Sequence, residues 1–510
     1  MAVVLLVLLS VLSVLIALYT LSKWKYDYWE KKKVPHPKPA ALFGNYGPFI
    51  KVKKYYGHMV QDICRQFPNE PYVGAYFGTE PTLIVQDPEL IKLITTKDFL
   101  YFYGREISKY TDKETLTRNL FFTHGDRWKL IRQNTSPLFT GSKIKGMFPL
   151  VEKCTRTFKS LLESKTKMSN VLEVRALMGR YTMDCIGSCG FGIEFNTMDD
   201  NVKDNNFRKM GDMIFEISKA RGFAQTVRSV WPAVFYGLGF SVFPSTISKF
   251  FHNLLLKVFE QRQYKPTSRN DFVDMLLNLK QQEILTSESM MTREKVTMKI
   301  DDEWLVAQCV VFFAAGFETT SSASSFILFE LAKNQVAQQR AYEEVKEYLS
   351  KREGRIGFDC VTELPYLEAC TEEALRLYPG LGVLTREVME DYTLPTGLRL
   401  EKGVRIHIPI YHLHHNPQYF PEPEEYKPER FLPENKVNIK PYTFMPFGEG
   451  HRICVGMRIS KMQMLPGLVT VLRQYRVELA DDMPSKLEME PSAIVTAPVG
   501  GIWLKFVPRN

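Results

Sequence analysis

One cysteine lies in a glycine-rich segment that is suited to ligate a metal. Cys454 belongs to segment 447–456, which reads FGEGHRICVG, and an apolar helical pattern begins directly after it. Glycines let a backbone turn sharply and approach a flat ligand closely. A thiol at a helix start is shifted toward thiolate by the helix dipole and by backbone N–H donors, which suits it to bind haem iron. The alternative is a buried free cysteine beside a turn, which describes most lone cysteines.

An acid and a hydroxyl lie inside an otherwise apolar helical run. Glu318 and Thr319 follow the apolar residues 310–314, and burying such groups costs free energy unless they have partners. An acid beside a hydroxyl is a pair that can transfer protons to a reacting group. The alternative is that Thr319 bonds back to its own helix while Glu318 faces solvent.

Two further pairs of residues have the spacing of one helix face. Glu373 and Arg376 are three positions apart, and Trp128 and Arg132 are four apart. Taken alone, such pairs are usually solvated surface contacts. Arginine nevertheless suits a carboxylate ligand, because its planar fork can bind both carboxylate oxygens.

Together these segments resemble the cytochrome P-450 family. Segment 447–456 has the spacing of that family's haem-binding loop, F-x-x-G-x-x-x-C-x-G, and 373–376 matches its E-x-x-R motif. The Pro-Glu-Arg-Phe of 428–431 follows at the family's position, and 315–320 resembles its oxygen-activating motif. With segment 181–194, the cysteine loop looks most similar to microsomal, xenobiotic-metabolising enzymes of the insect type.

The resemblance implies a mainly α fold with a small β part, in which a single haem domain lies behind an N-terminal transmembrane helix. Cys454 is then the axial ligand of the haem iron. The residues implied to bind the cofactor, some of them through its propionates, are Trp128, Arg132, Arg386, Arg452, Phe447, Gly448, Gly456 and Gly316.

The family also implies roles for the polar residues of the two helical motifs. Gly316 is expected to leave room for dioxygen, and Thr319 and Glu318 are expected to relay protons during oxygen activation. The remaining three residues are expected to form a buried ionic network behind the haem, with a structural role. They are Glu373, Arg376 and Arg430.

Family position and apolar character together suggest which residues line a substrate pocket. They are Phe121, Phe122, Phe312, Phe313, Leu381, Val383, Leu384, Ile494 and Val495. Plain core packing is the alternative for each of them. The aromatic stretch 222–245 is expected to roof the pocket and to touch the membrane. Gly380 and His451 stand where many relatives have proline, which leaves the local shape near the haem and pocket open.

The implied reaction is monooxygenation with O2 and with NADPH electrons that arrive through a reductase. Lipophilic xenobiotics such as plant toxins or insecticides are the expected substrates, and an endogenous steroid, fatty acid or hormone is the alternative. A peroxide-rearranging relative and a non-catalytic haem carrier are further alternatives. Retention of Glu318 and Thr319 argues against both of these.

The expected partners are NADPH–cytochrome P-450 reductase, with cytochrome b5 as a further electron donor, and membrane lipid. Three basic residues are candidates for docking an acidic reductase, with a solvated face as the equal alternative. They are Arg127, Lys129 and Lys461.

Helices are the elements that must position most of these groups. The apolar periodicity predicts helices at 57–67, 125–137, 147–164, 171–190, 301–333, 335–351 and 364–377. Short strands are predicted at 71–76, 82–86, 382–388, 404–408 and 471–479, and ordered loop at 415–450. Two clusters are expected to be a loop and buried thiols rather than metal or redox sites. They are His412, His414 and His415, and Cys185 and Cys189.

The first residues predict a membrane anchor. Residues 2–21 carry no charge, and as a helix they would span about 30 Å, the thickness of the hydrocarbon layer. Lysines follow at once, which places the rest of the chain on the cytosolic face of the endoplasmic reticulum. We therefore expect a signal anchor at 1–22, a basic, proline-rich linker at 23–45 and a haem-thiolate monooxygenase domain at 46–510. A cleaved secretory peptide and a buried core helix are the alternatives.

Composition excludes several classes of protein. The 510 residues are 45% hydrophobic and 24% charged, which is ordinary for a globular chain, and eight cysteines are too few for a disulfide scaffold. Residues 1–54 hold nine lysines against two acidic residues, so they carry +7 of the net charge of +9. Because this excess lies beside the apolar run, it indicates a membrane rather than a nucleic acid.

Overall fold

A computed structural model describes residues 24–509 except 106 and 203, together with residues 5, 9, 13, 19 and 20. The predicted anchor at 1–22 otherwise lies outside the described residues. Within the described part, one helix, Asp302–Lys333, is long and apolar enough to cross a membrane. Since 67% of its apolar window is buried inside the protein, it is a core helix.

Most of the described chain is helical. The α-helices are α1 (Tyr28–Lys31), α2 (Gly47–Ile50), α3 (Tyr56–Arg65), α4 (Pro88–Lys92), α5 (Gly125–Thr135), α6 (Gly141–Met168), α7 (Val174–Ile186), α8 (Asn206–Ile214), α9 (Lys219–Val230), α10 (Pro232–Gly237), α11 (Ser245–Gln261), α12 (Phe272–Lys280), α13 (Asp302–Lys333), α14 (Gln335–Ser350), α15 (Pro365–Leu377), α16 (Ile410–His414), α17 (Pro433–Lys436) and α18 (Met457–Gln474). Short π or 3-10 turns occupy Leu93–Lys97, Phe99–Tyr101, Ser108–Lys113, Thr115–Thr117, Ser136–Phe139, Gly187–Phe191, Phe358–Val361, Pro428–Phe431 and Gly450–Arg452.

The strands are short and form small sheets. They are β1 (Tyr72–Phe77), β2 (Glu80–Val85), β3 (Val171–Glu173), β4 (Ile284–Glu288), β5 (Lys295–Lys299), β6 (Leu384–Glu387), β7 (Tyr392–Thr393), β8 (Arg399–Leu400), β9 (Arg405–Ile408), β10 (Tyr475–Leu479) and β11 (Trp503–Pro508). One sheet has the order β1-β2-β9-β6, with β2 and β9 parallel and its other pairs antiparallel. A second has the order β10-β11-β3, and β4-β5 and β7-β8 are hairpins.

The predicted architecture, mainly α with a small β part, is confirmed. Helices α5, α13, α14 and α15 lie where periodicity predicted them. The strand predicted at 471–479 is shorter, because α18 continues to Gln474 before β10 begins. Helices α8 to α12 and the β4-β5 hairpin were not among the predicted elements.

Helix α13 forms the centre of the core. Its first turn is capped by Asp301, whose side chain accepts a hydrogen bond from the Trp304 N–H at 2.7 Å, and a cap of this kind satisfies an otherwise free donor. Its apolar residues join the largest hydrophobic cluster together with residues of α6, α7 and α18. The middle of α13 is thereby held between these helices.

The basic, proline-rich segment that precedes the body is attached to it. Trp29 is fully buried and donates from Nε1 to the Ala75 carbonyl at 2.8 Å. Gly74 lies beneath the indole ring, where a Cβ would come within 2.6 Å of Trp29 Cγ. Lys32 pairs with Glu401 at 2.6 Å. Part of the predicted linker at 23–45 therefore packs on the first sheet.

We predict that Trp29→Ala lowers the free energy of unfolding by about 3–5 kcal/mol, because the change leaves a large cavity in the first sheet. Denaturant unfolding midpoints measure the effect. Trp24→Ala is the control, since Trp24 is 73% exposed, and its midpoint should match that of the unmodified protein. Equal midpoints for the two variants would contradict the docking of this segment.

Candidate active site

The cysteine loop is held in one conformation by glycines and by its own backbone. The Cys454 N–H donates to the Phe447 carbonyl at 2.9 Å, which closes the loop. Gly448 and Gly450 have φ values of 72° and 71°, a region that residues with a Cβ rarely adopt. A Cβ on Gly450 would also lie 2.0 Å from the Thr95 carbonyl oxygen. Gly448 and Gly450 are thus required by turn geometry or close approach, whereas Gly456 has a φ of −85° and space for a Cβ.

Cys454 differs from the other cysteines in its exposure. The other seven are buried, whereas the Cys454 side chain is accessible. Burial by the surrounding chain nevertheless raises the pKa of its thiol, and hydrogen bonds from the backbone of Gly456 and Met457 and the charge on Arg132 act in the opposite direction. An accessible side chain and a pKa raised by burial are both expected if the sulfur faces a space inside the protein rather than bulk water.

Three arginine side chains, Arg132, Arg386 and Arg452, lie close together beside this loop. Arg386 is 1% exposed, and desolvation together with the charge on Arg105 lowers its pKa to about 9. Desolvation first, and then Arg105, Arg386 and Arg132, hold the pKa of Arg452 well below its usual value. Desolvation also lowers the pKa of Arg132. Clustered, desolvated cations are costly unless an anion joins them.

These side chains fit the propionates and the iron of a haem group. Among the described residues no carboxylate forms an ion pair with Arg132, Arg386 or Arg452, and Nε of both Arg386 and Arg452 is buried without a hydrogen-bond partner. Haem supplies two carboxylates for such N–H donors. The Arg452 guanidinium lies 4.7 Å from the Trp128 ring centre, so Trp128 belongs to the same cluster, with Cys454 as the thiolate.

Two members of this cluster were missed from the sequence. Arg105 contributes charge to both Arg386 and Arg452. His124 has a buried Nδ1 without a partner and a pKa lowered by burial and by Arg452. Neither residue belongs to a motif with recognisable spacing. Arg105 is recognised as a member of the cluster only because the fold brings it close to Arg386, which is far from it along the chain.

A buried ion pair lies on α15. Arg376 donates from Nε and Nη2 to the two carboxylate oxygens of Glu373, at 2.7 and 2.9 Å, and both side chains are fully buried. Arg430 Nε lies 3.4 Å from Glu373 Oε1. The structure therefore brings together the three residues expected to form the ionic network.

The remaining donors of Arg376 organise the loop that follows α16. Nη1 donates to the carbonyls of His414 and Pro423, both at 2.8 Å, and Nη2 donates to the backbone carbonyl of Glu425 at 3.0 Å. The carboxylate of Glu373 accepts the Lys427 N–H at 2.8 Å. Irregular chain at 414–427 thus obtains hydrogen bonds that regular structure would otherwise supply.

His414 connects this network to the cysteine loop. Its Nδ1 lies 3.2 Å from the Arg376 carbonyl oxygen, and its Nε2 accepts the Met445 N–H at 2.9 Å. His415 bonds to the Tyr411 carbonyl at 2.8 Å through Nδ1. Among the described residues no group of three His, Cys, Asp or Glu side chains could hold a metal ion. The histidine cluster lies partly on α16 rather than on a loop.

One face of α13 is accessible in the interior. Val311, Ala315 and Thr319 retain accessible surface, while Phe317 and Glu318 between them are buried. Because these three residues are four positions apart, they lie on one face of the helix. The sequence could have identified Ala315 and Val311 by counting back from Thr319 in steps of four. The Thr319 hydroxyl donates to the Ala315 carbonyl at 2.7 Å, the local bond that was the alternative for this residue.

Glu318 does not face solvent. Its Oε1 pairs with Arg175 of α7 and accepts the Ser322 hydroxyl at 3.4 Å. Nearby Asp212 has a pKa raised by burial and then by the charge on Glu318. Arg175, another residue without a sequence signal, therefore connects the acid of α13 to a partly exposed position on a neighbouring helix.

Gly316 lies at the contact between α13 and α7. A Cβ there would lie 2.3 Å from Ile186 Cδ1, so the residue permits the two helices to pack closely, and its expected place beside dioxygen stays a prediction. Ala315, whose side chain is accessible, lies on the same face of α13 as Thr319.

The structure divides the predicted pocket residues. Phe121, Leu381 and Ile494 are exposed, at 43%, 38% and 48%. The Thr496 N–H donates to the Gly380 carbonyl at 3.0 Å. This hydrogen bond brings the loop that carries Leu381 next to the loop that carries Ile494. Phe122 is half-buried and Val495 is buried. Leu384 Cδ1 would lie 3.5 Å from a Cβ on Gly448, beside the cysteine loop.

Three predicted pocket residues belong to the core instead. Phe312 stacks on Phe272 with ring centres 4.4 Å apart. Phe313 is fully buried against Phe251, at 5.0 Å. Val383 is buried in the hydrophobic cluster around α2 and α3. The two phenylalanines lie on the faces of α13 that pack on neighbouring helices, so core packing is their role.

Comparison with known proteins agrees with this geometry. A family model described as Cytochrome P450 matches residues 34–504. The chain is 34% identical over 504 residues to Cytochrome P450 6B7 of Helicoverpa armigera, with 98% of each chain covered. It is 34% identical over 505 residues to Cytochrome P450 6k1 of Blattella germanica, covering 97% of this chain and 95% of that one. Cytochrome P450 6a2 of Drosophila melanogaster is 34% identical over 491 residues, covering 94% and 95%.

We predict that Glu373→Gln destabilises the protein by about 3–5 kcal/mol, because it leaves the Arg376 charge buried without its counter-charge. Urea unfolding of the purified protein measures the change. Glu347→Gln is the matched control, since it breaks a surface pair with Lys351, and its midpoint should stay close to that of the unmodified protein. Similar midpoints for the two variants would contradict a stabilising role for the buried pair.

Proposed function

Since this chain belongs to the cytochrome P450 family of monooxygenases, we propose that it inserts one atom of O2 into lipophilic small molecules. Xenobiotics such as plant toxins or insecticides are the proposed substrates, and NADPH electrons arrive through a partner reductase. The observation that supports this most directly is the pairing of an accessible Cys454 with desolvated arginines that no described acid neutralises. The insect relatives named above support the substrate class.

Bound haem supplies the iron at which oxygen is activated, and thiolate ligation favours cleavage of the O–O bond. The chain's own residues hold the cofactor. Arg132, Arg386 and Arg452 bind its propionates, and the loop closed by the Cys454–Phe447 hydrogen bond aims the sulfur. The ionic network on α15 keeps that loop in place through His414.

Glu318 and Thr319 are proposed to manage protons. Glu318 has one carboxylate oxygen engaged with Arg175, whose side chain is 23% exposed, so the acid lies next to a position that solvent can reach. The Thr319 hydroxyl gives its hydrogen to Ala315, which leaves the Oγ1 lone pairs available to accept a hydrogen bond from a protonated group in the site. We propose Glu318 as the acid and Thr319 as the hydrogen-bond acceptor that positions the protonated group.

A basic cleft beside the cysteine loop is proposed to receive the acidic reductase. The cleft has a volume of about 720 Å³ and lies between α5, the β4-β5 hairpin and the loop residues Gly450 and His451. Lys97, Lys129 and Arg293 contribute positive charge to its lining, which also includes the acidic Glu288 and, from the cofactor cluster, Trp128 and Arg132. Of the other candidates, Arg127 pairs with Asp112 at 2.6 Å and Lys461 pairs with Glu368. Lys129 donates to the uncharged Glu288 carbonyl at 2.8 Å, so its charge is not neutralised there and it is the better supported docking residue.

The endoplasmic reticulum membrane is the proposed location, with the catalytic domain on its cytosolic face. The apolar run at 2–21 and the lysines after it support this orientation. Exposed apolar side chains on and around α9 and α10 support a second membrane contact. They are Ile217, Phe223, Val234, Leu238 and Phe240.

We predict that Cys454→Ala abolishes the red-shifted Soret band that the reduced, carbon monoxide-bound protein should show, because that band requires a thiolate ligand. The difference spectrum measures it directly. Cys64→Ala, which removes a buried thiol from another part of the chain, should retain the band. An unchanged band in Cys454→Ala would overturn the ligand assignment.

We predict that Glu318→Gln lowers reductase-supported product formation about a hundred-fold, because an amide cannot transfer a proton, and general acid catalysis contributes on that scale. The measurement is product formed per NADPH consumed with a panel of lipophilic substrates. Glu303→Gln, on the first turn of the same helix and 51% exposed, should behave like the unmodified enzyme. Equal product yields in the two variants would contradict the proton role.

A further inference from the structure

The β4-β5 hairpin connects directly to the central helix. Its strands pair antiparallel in five residue pairs, and the Ile300 N–H closes the base by donating to the Glu283 carbonyl at 2.9 Å. Asp301, the cap of α13, is the next residue along the chain. One end of the hairpin is therefore fixed to the helix that carries Glu318 and Thr319.

The tip of the hairpin is an ordered turn. The Ser289 N–H donates to the Glu294 carbonyl at 2.7 Å. The Ser289 hydroxyl oxygen accepts the N–H groups of Met291 and Thr292, at 3.2 and 3.3 Å. A serine that accepts hydrogen bonds from the backbone just after it holds a turn in shape. Ser289 is itself 7% exposed, so the tip is packed against the rest of the protein.

Two hydrogen bonds attach the main chain of the hairpin to α5. Asp126 Oδ1 accepts the Met290 N–H at 2.5 Å. Lys129 Nζ donates to the Glu288 carbonyl at 2.8 Å. Because both groups on the hairpin side belong to the backbone, these contacts fix the path of the hairpin relative to the helix.

A third hydrogen bond extends the same attachment along α5. The Ser287 hydroxyl donates to Gln133 Oε1 at 2.6 Å. Positions 126, 129 and 133 are separated by three and then four residues, so they lie on one face of the helix. The hairpin therefore holds this face over about two helical turns.

The side chains of α5 that are proposed to bind the cofactor lie beside this face. Trp128 and Arg132 are four positions apart and share a face of their own. Both line the basic cleft together with the hairpin, and the Arg452 guanidinium lies 4.7 Å from the Trp128 ring centre. A regular helix turns as one body, so the contacts on the hairpin side also fix the directions in which Trp128 and Arg132 point.

We propose that the β4-β5 hairpin is a clamp that orients α5 for cofactor binding, and that Asp126 is its main positioning residue. Asp126 acts through Trp128 and Arg132 and touches neither substrate nor cofactor. Without the clamp, α5 turns or shifts and the Arg132 charge moves away from the propionates. The proposal rests on the haem-dependent function proposed above and adds a positioning element to it.

A role for Asp126 that is confined to α5 gives a different expectation. An acid in the first turn of a helix interacts favourably with the positive end of the helix dipole, and that interaction needs no hairpin. Losing only a negative charge near the haem would raise the reduction potential of the iron, because reduction adds a negative charge. Losing the arginine that neutralises a propionate lowers the potential instead. The sign of the change therefore separates the two roles.

Redox titration of the purified, haem-loaded protein measures that sign. Asp126→Ala should lower the reduction potential, because the clamp is released. Asp126→Asn should not lower it, since the amide oxygen still accepts the Met290 N–H although the charge is gone. A potential that rises or stays the same in Asp126→Ala would overturn the proposal.

Haem transfer to an excess of apomyoglobin measures retention of the cofactor without reduction or turnover. Asp126→Ala should lose haem about ten-fold faster than the unmodified protein, the scale of one hydrogen bond to a charged group. Asp126→Asn should stay close to the unmodified rate. Equal rates in Asp126→Ala and the unmodified protein would contradict the clamp.

Glu288→Ala is the matched control. It removes one carboxylate from the hairpin, but the contact with Lys129 is made by the main-chain carbonyl, which alanine retains. The rate of haem loss should therefore be unchanged and the potential should not fall. A lowered potential in this control would show that charge, and not the clamp, governs the potential.

Ser287→Ala keeps the proposal testable if Asp126→Ala fails to fold. It removes only the hydroxyl that donates to Gln133 and leaves α5 and its dipole unaltered. Both readouts should change in the same direction as in Asp126→Ala, by a smaller amount. No change in either readout would overturn the proposal.

The carbon monoxide difference spectrum separates this proposal from the function on which it rests. A thiolate-type Soret band in the unmodified protein, together with a raised potential in Asp126→Ala, would reject the clamp and leave the monooxygenase intact. An unmodified protein that binds no haem would reject both.

Discussion

The irregular chain that leads to the cysteine loop depends on one buried ion pair. Glu373 and Arg376 satisfy each other through two hydrogen bonds, and the spare donors of Arg376 bind carbonyls of the 414–425 segment. Because a buried charge without its partner is strongly destabilising, a substitution that removes only one of the two charged residues destabilises the protein. His414 carries the constraint on to Met445, close to Cys454. The sulfur is therefore positioned by a network whose charged centre lies on a different helix.

The arginines beside the cysteine loop differ from this ion pair, because their positive charges need an anion from outside the chain. Arg132, Arg386 and Arg452 are desolvated, which lowers their pKa values, and among the described residues none of the three forms an ion pair with a carboxylate. A ligand with carboxylates relieves this repulsion, so binding and folding reinforce each other. The ionic network of α15 is complete within the chain, whereas the arginine cluster is completed by its cofactor. Stability and function are thus divided between two groups of buried charges.

The roles that the sequence predicted well are those set by local geometry. The spacing of glycines around Cys454 and of Glu373 and Arg376 along one helix follows from turn and helix geometry, which short segments determine by themselves. The structure accordingly brings each set together. Phe312 and Phe313 failed as pocket residues for the converse reason. An apolar residue of a central helix can face a cavity or a neighbour, and only the packing of α7, α11 and α12 around α13 decides which.

The sequence by itself determined the family, the mainly helical fold, the cysteine loop and the acid–hydroxyl pair of α13. Tertiary structure alone decided that Glu318 meets Arg175, that Gly316 packs against Ile186, and that Arg105 and His124 join the arginine cluster. It also placed Asp126 against Met290 of the hairpin. Each of these contacts joins residues that are far apart along the chain, and no local periodicity encodes them, because their formation depends on how complete helices pack.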